Sequence, residues 1–227
     1  MITALAAIAI TSAQSSVEDF FPMRPGMVKV YEEQIVSNGK TYKFNVIETY
    51  KGTATIKRYE KYLDETEVDP DKREKVKEIS EEAFEILTAM DTDAPVPTYY
   101  QAKGNRVFIV GTEPGELLVS VYPIFAIGGN PETFIFNGEI PVMGAPAAAY
   151  IDGETKPRGD YKFQNKNYPS VETKLNYRMQ LGGGIDVTSE QKSIYAKGIG
   201  LVEYEETGKA GSRTTKRKRK LTKIQLP

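Results

Sequence analysis

Between Val171 and Leu181 the chain alternates without interruption. Val171, Thr173, Leu175, Tyr177, Met179 and Leu181 point one way, and Glu172, Lys174, Asn176, Arg178 and Gln180 point the other. Successive side chains of a strand face opposite sides, so this segment is a strand with one dry and one wet face. Faces of that kind belong to antiparallel sheets, because all-parallel sheets are covered on both sides. Gly182-Gly183-Gly184 then turns the chain into a second run, Ile185 to Tyr195. The next stretch, Tyr195-Ala196-Lys197-Gly198-Ile199-Gly200-Leu201-Val202, has two glycines that let the backbone bend or be approached closely.

Earlier in the chain, Met27 to Val36 leads to Asn38-Gly39, the strongest short hairpin signal, and Tyr42, Phe44 and Val46 alternate on the return. A break at Lys51-Gly52 precedes a third run, Thr53 to Leu63, which predicts a three-strand meander. At Asp69-Pro70 the pattern changes. Asp suits an N-cap and Pro the first helical turn, and Val76, Ile79, Ala83, Ile86, Leu87 and Met90 recur at helical spacing. The spacing predicts one substantial helix over residues 70–90, its apolar stripe against the sheet. Short strands are expected at Thr98 to Lys103, Arg106 to Gly111, Glu116 to Tyr122 and Thr133 to Phe136, within an irregular, Pro- and Gly-broken region over 123–160.

Absent residue types narrow the chemistry. The chain of 227 residues contains no His, no Cys and no Trp. Zinc and copper sites of the usual kind, thiolate nucleophiles, and Ser-His-Asp or Cys-His schemes all need residues that are missing. No cofactor or metal is expected, and no catalytic residue stands out. An enzyme built on carboxylates alone, for which Asp152, Glu154 and Asp160 are the candidates, is the minor alternative.

Met1 to Ala13 is an uncharged apolar run ending in small residues, like the core and cleavage site of a secretory signal, though without a basic start. It is short for a bilayer span, so no transmembrane segment is expected in the mature chain. The expectation is a signal peptide over 1–13, either truncated at its start or of an unusual kind, followed by one antiparallel β-rich domain over 20–227, secreted or periplasmic.

Charge is unevenly distributed. Thr207 to Pro227 holds eight basic residues and no acidic one, whereas Glu60 to Asp93 holds thirteen acidic against five basic. Lys216-Arg217-Lys218-Arg219-Lys220 could contact a polyanion, but it reads better as a last, edge strand paired with Leu201 to Glu206, where charges discourage aggregation. A nucleic-acid partner is not expected.

Phe21-Pro22-Met23-Arg24-Pro25-Gly26-Met27-Val28-Lys29-Val30-Tyr31 resembles a Phe-Pro-Leu-x-x-Gly-x-x-Trp-x-Tyr entry motif, with Lys29 in the place of Trp. Tyr195 to Val202 resembles a Tyr-Ala-x-Gly-Val-Gly-Leu-Val closing motif. Both belong to a group of uncharacterised secreted or envelope-associated bacterial β-rich proteins. The resemblance implies a curved antiparallel sheet, a half-barrel or open barrel with the helix packed on it, akin to the half-barrels that carry lipoproteins or lipids. It transfers no catalytic residue.

Two functions follow as expectations. One is a non-enzymatic binding module for a lipid or other hydrophobic small molecule, with Tyr177, Met179 and Tyr195 as candidate contacts. The other is a structural or interaction module of the envelope, meeting a protein or an anionic polymer through the basic strand.

Overall fold

In the computed structural model of this protein, the twelve strands among the described residues lie in one antiparallel sheet. The structure describes residues 15–66, 68–72, 74–111, 121–142, 145–181 and 184–227. The signal-like run Met1–Ala13 lies outside them, as does most of the strand expected at Glu116–Tyr122.

The first half comprises a one-turn helix α1 (Val17–Phe20) and strands β1 (Val28–Ser37), β2 (Lys40–Leu63), β3 (Glu74–Met90), β4 (Val96–Lys103), β5 (Arg106–Gly111) and β6 (Tyr122–Ala126). The second comprises β7 (Glu132–Val142), β8 (Ala145–Phe163), β9 (Lys166–Leu181), β10 (Ile185–Ala196), β11 (Gly200–Ala210) and β12 (Arg213–Gln225). Each half is a six-stranded meander. The β1–β12 ladder joins them, giving the order β6-β5-β4-β3-β2-β1-β12-β11-β10-β9-β8-β7. Twist and curl bring the edges β6 and β7 together, and the Tyr122 and Phe136 rings stand 6.1 Å apart between them. The result is a nearly closed barrel rather than a half-barrel.

Local sequence accounts for much of this. Asn38 and Gly39 both have positive φ, as a two-residue hairpin turn requires, and Ser37 pairs with Lys40. β9 keeps the alternation read from its sequence: Val171, Thr173, Leu175 and Tyr177 are buried, while Lys174, Asn176 and Arg178 are exposed. One barrel end is stoppered by α1, where Val17 and Phe20 pack with Val107, Phe125, Val171 and Tyr195. The glycine-bearing turn after β10 holds this stopper, because Gly198 N–H donates to the Asp19 carbonyl at 2.6 Å and Lys197 pairs with the Asp19 carboxylate at 3.3 Å.

Four expectations are corrected. Residues 70–90 are not a helix: Pro70–Lys72 form a 3-10 turn and Glu74–Met90 are strand β3, paired with β2 along its length. The helical spacing arises because both strand faces are covered near its base. Phe84 and Ile86 face the lumen with Met27 and Tyr50, while Ala83 packs on the other side with Ile56, Tyr99 and Val110. The Thr53–Leu63 run is no separate strand; β2 passes through Lys51-Gly52 with a bulge between Tyr50 and Gly52. The irregular middle is mostly strand, and β8 accommodates Pro157 at a bulge between Pro157 and Gly159. Finally, β12 is no edge strand, since β1 and β11 flank it. Among the described residues, no helix is long and apolar enough to cross a membrane.

Candidate functional site: the barrel lumen

A cavity of about 310 Å³ lies inside the barrel, near the smaller end of the range for small-molecule sites. One wall is aromatic and apolar: Phe21 from the α1 stopper, Tyr100 on β4, Ile109 on β5, Tyr122 and Ile124 on β6, Leu175 and Tyr177 on β9, and Tyr195 on β10. The Phe125 and Tyr195 rings lie 4.8 Å apart, and Phe21 sits 5.3 Å from Tyr100. The tilted stacking favoured by aromatic quadrupoles fixes these rings in place.

The opposite wall, from β1, β2 and β12, is charged. Strand alternation splits the basic run: Lys216, Lys218 and Lys220 point to solvent, while Arg217 and Arg219 point inward. Both guanidiniums donate through Nε to Glu33, which is fully buried, and Arg219 Nη1 also donates to Glu48 at 3.2 Å. Glu48 further accepts from the Tyr31 hydroxyl at 3.0 Å and the Tyr50 hydroxyl at 3.4 Å. Arg219 lies over the Tyr31 ring at 5.4 Å and Arg217 over Tyr204 at 5.8 Å.

Lys29 completes this wall. It is 1 % exposed, its Nζ donates to the Tyr50 hydroxyl at 2.8 Å, and it sits 4.9 Å above the Tyr50 ring. Burial lowers its ammonium to about 8, against the opposing pull of Glu48. Room for it comes from Gly200 in the closing motif. Gly200 has φ of +89°, and a Cβ there would lie 2.7 Å from Lys29 Nζ and 3.1 Å from Pro22. The entry and closing motifs therefore meet at Lys29.

Tyr177 and Tyr195 line the cavity, whereas Met179 stands aside, packed on the neighbouring cluster of Ala126, Phe134 and Ile151. Tyr177 is 8 % exposed, and its hydroxyl is not a buried unpaired group. Burial, then the neighbouring Tyr122, Tyr204 and Tyr195, pushes that hydroxyl well above the usual tyrosine range. Outside the barrel, Lys218 pairs with Glu205 at 2.8 Å and Lys220 with Glu203 at 3.5 Å. Asp152 accepts from Asn176 at 2.7 Å on the outer face, and Glu154 and exposed Asp160 also lie outside the cavity lining.

Sequence reasoning missed Lys29, Glu33 and Glu48 as lumen groups. The available signal was Lys29-x-Tyr31-x-Glu33 on one strand face, a polar face that is neither core nor surface.

No family model and no curated protein matches this chain. A solved structure described as "a putative lipoprotein" from Parabacteroides distasonis ATCC 8503 superposes with a TM-score of 0.46 at 10% identity, covering 93% of this chain and 100% of that one.

Proposed function

We propose that this protein is a non-enzymatic barrel that holds a hydrophobic or amphipathic small molecule in its lumen, and that it works in the cell envelope after export. The observation that carries this reading is the cavity itself, walled by Phe21, Tyr100, Ile124 and Tyr195 on one side and by Lys29, Glu48 and Arg219 on the other. An apolar, aromatic cavity with a few convergent polar groups is the usual form of a small-molecule site. The placing in the envelope rests on the signal-like Met1–Ala13 run. The barrel's working in water is supported by β9 and β12, which present Lys, Asn and Arg on their outer faces where the strands of membrane barrels present an apolar band.

Native mass spectrometry of protein purified without detergent tests the reading. The expected result is an extra mass, removable by organic extraction. A bare polypeptide mass that persists after incubation with envelope lipids would overturn it. The charged exterior would then be the place to look for an interaction module.

A further inference from the structure

The charges lining the lumen are unbalanced. Three cations, Lys29, Arg217 and Arg219, face the cavity against one carboxylate, Glu48. Glu33 stands behind the arginines and engages both. Glu206 stands opposite Arg217 in the β11–β12 ladder and accepts from Ser189 at 2.7 Å, Tyr204 at 2.8 Å and Gln191 at 3.3 Å. Each arginine has a carboxylate in salt-bridge contact, whereas Lys29, opposite Glu48 in the β1–β2 ladder, donates to the neutral Tyr50 hydroxyl and has no salt bridge among the described residues.

A buried ammonium without a salt bridge is costly, and an anionic ligand group beside it lowers that cost. We infer that Lys29 anchors the anionic head of the lumen ligand, which is therefore an amphipathic acid. Its carboxylate or phosphate lies against Lys29 and Arg219, and its apolar body lies along Ile86, Ile124 and Leu175. This rests on the lumen-binding reading above and adds the chemistry of the head group to it.

The test compares dodecanoate with dodecanol, which share a chain and differ in head charge, by calorimetric titration of the intact protein near neutral pH. The inference expects the acid to bind at least about tenfold more tightly than the alcohol. In Lys29→Met the gap should close, so that acid and alcohol bind within about threefold of each other. If wild-type protein binds both alike, the anchor is wrong while the lumen-binding reading stands. If the preference persists in a folded Lys29→Met, Lys29 is not its source. If neither probe binds, both readings fall. The wild-type comparison stands on its own should the variant not fold.

Discussion

Lys29 also makes the fold's stability depend on pH in an unusual direction. Its ammonium titrates at about 8 when buried and near 10.5 otherwise. Between those values the unfolded chain binds more protons than the folded one, so this group makes stability rise with pH. Buried Tyr50, Tyr100 and Tyr177 have raised hydroxyls and act oppositely above about pH 10, where the unfolded chain loses those protons first. Urea unfolding should show stability climbing above about pH 8 and falling past about pH 10, and Lys29→Met should lose the climb and keep the fall. Glu33 gives a second residue-level prediction. Glu33→Gln keeps the shape but leaves two guanidiniums short of a carboxylate, and should cost roughly 3 kcal/mol in denaturant titration. A third concerns Gly153, over which Phe134 lies so closely that a Cβ would come within 2.2 Å of the ring. Gly153→Ala should lower stability by about 1–3 kcal/mol, measured in the same way.

Among the elements, β2 and β3 differ most from the rest. β1 pairs β2 only as far as Thr49, and β4 pairs β3 only from Phe84 to Thr88, so the remainder is a two-stranded ribbon reaching out to Leu63 and Glu74. Isolated ribbons are marginal in water, so its amides should exchange with deuterium well before those of β1, β11 and β12. This ribbon is also where sequence reading failed. Lys57 pairs across it with Glu78 at 2.9 Å, and such contacts depend on a partner strand that local periodicity cannot reveal. β9 and the Asn38-Gly39 turn were legible because their signals are local: alternation in one case, two residues with positive φ in the other. Tyr177 and Tyr195 could be singled out as lumen residues for the same reason. Arg217 and Arg219 could not, because a run of five cations reads as solvent-facing until the flanking strands show that alternate members turn inward.

For the whole molecule, the β1–β12 ladder is the decisive contact. An edge strand could be trimmed with modest loss, but β12 is hydrogen-bonded on both sides. Deleting residues 213–227 should therefore abolish cooperative unfolding and leave an aggregating chain, as circular dichroism and gel filtration would show. The ladder is also matched in charge, with Glu32 opposite Lys220 and Glu33 opposite Arg219. Its order of appearance has a consequence for synthesis. A ribosome working at about 5–20 residues per second needs some tens of seconds to get from β1 to β12. Until β12 arrives, one flank of β1 lacks its partner, and Glu32 and Glu33 lie along it. Those carboxylates keep the waiting flank soluble and unattractive to other strands, and they give the last piece of the chain to emerge, rich in lysine and arginine, its destination.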